Sequence, residues 1–255
     1  MFVAAEDCLL NTVQFGNGPR DLLVHGGWVG TWELWQEPMQ LLQDRWRCTG
    51  YDHRGAGATS GPATSITPQA LVDDVFRVMD HYGLETCVLA GESMGALTCL
   101  EAVLQRPDRF TGLVLVAGVP SMTGEGPDGT AIRGDFPAYV HDFVESCIPE
   151  PDSEHLKRWG RQLLLRAEPE AAARMFESHY EAQVAPDLAA VAVPTLVVHG
   201  ELDAIVPVEA GRWAATCIPG AELVVLPGAG HVPSMTRPRE VAEAIDDWAT
   251  RHGQR

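Results

Sequence analysis

The feature that most restricts the fold of this chain is Gly91-Glu92-Ser93-Met94-Gly95, set between two apolar runs. Thr86-Cys87-Val88-Leu89-Ala90 precedes it, and Ala96-Leu97-Thr98-Cys99-Leu100-Glu101-Ala102-Val103-Leu104 follows. The first run reads as a buried strand and the second as a helix. Between them there is room only for a very tight turn with a serine at its apex. Small residues on either side avoid the clash that any larger side chain would make there.

The rest of the chain continues the alternation. Asp21 to His25, Trp46 to Asp52, Gly112 to Ala117, Val193 to Gly200 and Ala221 to Leu226 read as strands, and residues 8–15 as an edge strand. A helix is expected over Trp35 to Leu42. Thr67-Pro68 opens another: Thr caps free N–H groups, and Pro at the first helical position has no N–H to lose. Its apolar face is Leu71, Val75, Val78, Met79 and Tyr82, and Gly83 ends it. The last helix runs from about Pro238 to Thr250. This order predicts an α/β fold with a mostly parallel central sheet and helices on both faces. Residues 119–190 break the pattern. They hold a Gly-rich loop and two or more helices, including the stripe Leu156, Trp159 and Leu163, with no buried strand.

The apex serine has partners in a telling order. The strand ending at Gly200 empties into Glu201-Leu202-Asp203, and the strand ending at Leu226 empties into Pro227-Gly228-Ala229-Gly230-His231. Ser, Asp and His therefore each follow a strand, and open parallel sheets gather working groups at the C-terminal edge. Glu201 is a local rival for the acid.

His25-Gly26-Gly27-Trp28, Tyr51-Asp52-His53-Arg54-Gly55-Ala56-Gly57, the Ser93 elbow, Gly200-Glu201-Leu202-Asp203 and Gly230-His231 together resemble the α/β-hydrolase fold family over about residues 8–250. The resemblance is to small esterases, enol-lactonases and carbon–carbon bond hydrolases with a short helical cap. It implies a core of residues 1–118 and 191–255 and a cap or lid over 119–190. It also implies Ser93 as nucleophile, His231 as general base and then acid, and Asp203 as the group orienting His231. It favours Asp203 over Glu201. The oxyanion donors are expected to be the N–H of Met94 and one from the His25–Trp28 loop, Gly27 first and Trp28 second. Trp28 and Met94, with Val119, Met122, Val206 and Val232, are expected to line an apolar pocket.

The implied activity is a serine hydrolase acting on a small ester or lactone with an apolar part, through an acyl-enzyme and without a cofactor. A carbon–carbon bond hydrolase or perhydrolase on the same residues, and a slow-turnover ligand receptor, remain as alternatives.

Composition narrows the partners. Acidic residues outnumber basic ones 35 to 18, and a net charge of -17 repels nucleic acid and anionic membranes. The six cysteines show no C-x-x-C and read as free thiols of a reducing compartment. The N-terminus lacks a basic n-region, so a cytoplasmic location is expected. His25, His53 and His199 lack metal-ligand spacing, and Arg54 reads as a structural ion-pairing residue.

Overall fold

The computed structural model describes residues 1–118, 120–126 and 129–253. In chain order the elements are β1 (Phe2–Ala4), β2 (Leu9–Phe15), β3 (Arg20–His25), α1 (Gln36–Leu42), β4 (Trp46–Tyr51), α2 (Pro68–Tyr82), β5 (Cys87–Glu92), α3 (Gly95–Gln105) and β6 (Phe110–Val116). There follow α4 (Thr130–Gly134), α5 (Phe136–Cys147), α6 (Glu154–Leu164), α7 (Pro169–Ala182), β7 (Thr195–Gly200), α8 (Val208–Cys217), β8 (Glu222–Leu226), α9 (Pro233–Thr236) and α10 (Pro238–Arg251). Among the described residues the strands form one eight-stranded sheet in the order β1-β2-β4-β3-β5-β6-β7-β8. Pairing is antiparallel at β1–β2 and β2–β4 and parallel from β4 onward.

The buried strands are apolar on both faces because helices cover both. Leu22 and Val24 of β3 face one core while Leu23 faces the other. Val88 and Ala90 alternate with Leu89 on β5 in the same way, and Val114 and Val116 with Leu113 on β6. Helix α2 shows how local chemistry sets an element. The Thr67 hydroxyl accepts from the Ala70 N–H at 3.1 Å, and Gly83 closes the helix at φ 64. Leu71, Val75, Val78 and Met79 are buried between.

Two expectations change. Residues 8–15 are not the edge of the sheet, because β1 pairs outside β2, with Val3 opposite Leu10. Three residues are too few to show strand alternation in a sequence. The helix expected from Trp35 begins instead as a 3₁₀ turn over Trp32–Trp35, capped by Thr31, and becomes α-helical at Gln36. Helices α4 to α7 all fall between β6 and β7, where the sequence alternation breaks. All six cysteines are unpaired. No helix among the described residues is long and apolar enough to cross a membrane.

Candidate active site

The parallel strands β3, β5, β7 and β8 all point their C-terminal ends at one edge, and each runs into a turn or loop that carries a residue singled out above: Gly27, Ser93, Asp203 and His231. At the end of β5 the chain reverses through Ser93, held at φ 54. Such a left-handed conformation is costly for a non-glycine residue and pushes the side chain out of the turn. The Ser93 N–H is tied to the Val116 carbonyl at 2.9 Å. A Cβ on Gly91 would lie 2.6 Å from Cys99 Sγ, and one on Gly95 would overlap the Gly26 carbonyl. The small residues are therefore required by the packing of β5, α3 and the Gly26 loop.

His231 and Asp203 reach Ser93 from the ends of β8 and β7. His231 Nε2 lies 2.8 Å from Ser93 Oγ, and His231 Nδ1 lies 2.8 Å from Asp203 Oδ2. The other Asp203 oxygen accepts the N–H groups of Ile205 and Val206, each at 2.9 Å. His199 Nε2 adds a contact to Asp203 Oδ2 at 3.2 Å. Burial alone would push this carboxyl upward. The hydrogen bonds from His199 and His231, with that from Val206, outweigh it and hold Asp203 well below the usual carboxylate range. Glu201 is exposed and accepts the Gly228 N–H at 3.0 Å instead. Under the triad reading, Asp203→Asn should lower kcat by about 10³–10⁴-fold by favouring the wrong imidazole tautomer. Steady-state ester hydrolysis by the purified variant checks this, and a loss under tenfold would exclude the role.

Gly27 faces Ser93 closely: a Cβ there would lie 2.9 Å from Ser93 Cβ. Its carbonyl accepts from His53 Nε2 at 2.9 Å, which fixes the loop. His53 belongs to a hub in which Asp52 accepts the Trp32 and Ala58 N–H groups at 3.1 and 2.9 Å. His25, the last residue of β3, stacks on His53 at 4.9 Å. Among the described residues neither the Gly27 nor the Met94 N–H donates to a protein acceptor.

Trp28 joins the loop to the helices inserted between β6 and β7. Its Nε1–H donates to the Ala172 carbonyl at 2.8 Å. Its ring stacks on Phe176 at 5.2 Å and meets Phe143 and Tyr139 edge-on at 5.1 and 5.5 Å. The same insertion also grips the histidine loop. The His231 N–H donates to the Cys147 carbonyl at 2.8 Å, and the Gly230 N–H donates to Glu150 Oε1 at 2.9 Å.

Two cavities flank Ser93. One, of about 520 Å³ and partly open to solvent, is lined by Leu34, Phe143, Ile148, Leu164, Val232 and Met235, with Trp28, Glu92 and His231. The other, of about 730 Å³ and likewise partly open, is lined by Trp28, Met94, Met122, Phe176, Tyr180 and Val206. Five of the six residues expected to line a pocket, Trp28, Met94, Met122, Val206 and Val232, line one or both cavities. Val119 lies outside the described residues. Among the described residues no group of three or more His, Cys, Asp or Glu side chains could hold a metal ion.

Sequence reasoning missed Glu92. It directly precedes Ser93, is 1% exposed, and accepts from Ser234 Oγ at 2.5 Å. Its other oxygen, Oε2, has no partner. Burial, with the Asp203 charge adding and the Ser234 hydrogen bonds opposing, pushes the carboxyl up to about 8. The folded chain thus keeps a proton that an unfolded Glu releases near 4.3. Stability from this group is complete below that value and is lost as pH rises toward about 8. Glu92→Gln should therefore match the wild type near pH 4.5 and exceed it by on the order of 2–4 kcal/mol at pH 8. Urea unfolding across that range checks this. Stability differences that do not change with pH would contradict it.

The sequence profile of the alpha/beta hydrolase family matches residues 22–244, and the chain belongs to that family. It is 28% identical to 3-oxoadipate enol-lactonase 2 of Acinetobacter baylyi, over 96% of this chain and 94% of the relative. It is 27% identical to the pimeloyl-[acyl-carrier protein] methyl ester esterase of Edwardsiella ictaluri, over 92% and 95%. Among solved structures it superposes on the enol-lactonase from Burkholderia xenovorans with a TM-score of 0.90, at 22% identity, covering 98% of this chain and 100% of that one. At that identity the last likeness concerns the fold alone.

Proposed function

We propose that the protein is a serine hydrolase that cleaves a small carboxylic ester or lactone through an acyl-enzyme on Ser93. The observation that carries the reading is the relay of two 2.8 Å contacts, Ser93 Oγ to His231 Nε2 and His231 Nδ1 to Asp203 Oδ2. A serine hydroxyl needs such a base, held in one tautomer, to become nucleophilic near neutral pH.

In the first half-reaction Ser93 Oγ bonds to the scissile carbonyl carbon and its proton passes to His231 Nε2. The carbonyl π electrons move onto oxygen. The N–H groups of Gly27 and Met94 are the donors for that oxyanion, and Met94 immediately precedes α3, where the helix dipole favours negative charge. The tetrahedral centre then expels the alkoxide, which takes the proton from His231. Water repeats the sequence, and the acid is released. Asp203, kept ionised, stabilises the imidazolium in both halves.

Residues 119–190 act as the cap. Their helices α5 and α7 pack against Trp28, and their apolar side chains wall part of both cavities. An apolar-walled site selects a substrate with an apolar part. The names of the two sequence relatives, a lactonase and a methyl ester esterase, support the same bond type. A panel of activated esters and lactones of graded acyl size, run beside Ser93→Ala, tests the proposal. Turnover by the wild type and none by the variant is expected. No turnover of any ester or lactone would overturn it.

A further inference from the structure

The cavity that holds Ser93 and His231 contains one more polar side chain whose chemistry the ester-cleaving reading leaves unused. Its walls are otherwise carbon-rich: Leu34, Phe143, Ile148, Leu164, Val232 and Met235. The Trp28 N–H, the other strong donor on the wall, is already committed to the Ala172 carbonyl. Glu92 is the exception. Its Oε1 is satisfied by Ser234, but its Oε2 is buried and has no partner. Leaving a buried polar atom unpaired is destabilising, and such orphans call for a physical reason.

The geometry points to Glu92 as a specificity-determining residue: its free oxygen meets a neutral hydrogen-bond acceptor, such as a ketone or ether oxygen, carried by the acyl part of the substrate. This rests on Ser93 being the acylated residue. Glu92 and Ser93 line the same cavity, so an acyl group tethered to Ser93 through both half-reactions shares that space with Glu92. A carboxyl buried this deeply is an O–H at neutral pH, which makes Oε2 a donor and the complementary substrate atom an acceptor. An ionised substrate group is disfavoured, because the apolar walls would strip its water without supplying a counter-charge. A purely hydrocarbon acyl chain would fit the walls but leave the Glu92 O–H unpaired. A site built around a hydrogen bond discriminates against such analogues more strongly than a hydrophobic wall does.

The test uses two 4-nitrophenyl esters matched in size, 4-oxopentanoate and 4-methylpentanoate. The ratio of their kcat/KM values is compared in wild type, Glu92→Leu and Glu92→Gln. Intrinsic reactivity of the esters cancels in the comparison between enzymes. Glu92→Leu should lower the oxo-to-methyl ratio about tenfold or more, the worth of one lost buried hydrogen bond. Glu92→Gln keeps an acceptor for Ser234 and an N–H donor for the substrate, so it should hold the ratio within about threefold. A ratio unchanged in Glu92→Leu, or lowered equally by both variants, overturns the proposal.

A matched pair differing in the alcohol, 4-oxopentyl and 4-methylpentyl hexanoate, serves as a second arm. A response there and not in the acyl pair would overturn the acyl assignment. Binding of the same nitrophenyl esters to Ser93→Ala and to Ser93→Ala/Glu92→Leu, read by tryptophan fluorescence, separates this inference from the hydrolase reading. Absent turnover would sink the latter. A tenfold binding preference for the oxo ester that Glu92→Leu removes would sustain the former, and no preference would refute it.

Discussion

Ser93→Ala should lose ester hydrolysis by at least about 10⁴-fold in kcat while folding as the wild type does. The loss follows from the nucleophile's place in the relay. Without Oγ there is no atom to form the acyl-enzyme, and His231 faces an empty methyl. What survives is the catalysis that oxyanion donors and substrate binding supply to water alone. The fold should persist because the substitution changes one side-chain atom and leaves the backbone demand unaltered. Alanine bears the φ of 54 at the same cost as serine, and the Ser93 N–H keeps its bond to Val116. Unfolding free energies should agree within about 1 kcal/mol. Hydrolysis above about one hundredth of the wild-type rate, in protein free of contaminating esterase, would contradict the nucleophile assignment.

Arg54→Met should destabilise the protein by about 3–5 kcal/mol at pH 7, a loss readable by urea unfolding. The Arg54 guanidinium lies at the centre of a buried ion cluster. It donates to Asp74 at 2.6 and 3.1 Å and also to Asp7. The Asp74 side chain is 0% exposed. Burial already raises the Asp74 carboxyl above its ordinary value, with Arg54 as the main opposing influence. Removing the guanidinium leaves a carboxylate in the core with only Arg77 beside it, at 3.2 Å. The deficit should narrow as pH falls toward about 5, since Asp74 in the variant is freer to take a proton and shed its charge. The double variant Arg54→Met/Asp74→Leu should recover most of the stability, because it removes the buried charge as well as its partner. A deficit under 1 kcal/mol for the single variant would mean that water reaches Asp74. The cluster also bears on the site at a distance. His53, adjacent in the chain, holds the Gly27 carbonyl, so activity should fall further than the loss of folded protein accounts for.

The parts legible in the sequence were those governed by local rules. Gly91, Ser93 and Gly95 announce the turn because no other residue sizes fit between β5 and α3. Thr67, Pro68 and Gly83 bracket α2 through hydrogen bonds made within a few residues. Strand β1 was missed because Phe2–Ala4 is shorter than any period. Glu92 was missed for a different reason. In sequence it is an unspecified position of the elbow, and nothing local shows that its carboxyl is buried and bonded to Ser234, which lies far along the chain. His199 was weighed only as a metal ligand, and its contact with Asp203 comes from the curl of the loop after β7.

By itself, then, the amino-acid order determined a strand–helix alternation, the parallel sheet that alternation demands, and a Ser, an Asp and a His at the ends of three strands. Parallel strands make that much inevitable, since all their C-termini emerge on one side. Only the tertiary structure decided that an inserted set of helices clamps both Trp28 and the histidine loop, and that a lone carboxyl is buried beside Ser93. Those outcomes depend on desolvation and on angstrom-scale approach between segments distant in the chain. Neither has a signature in residue spacing.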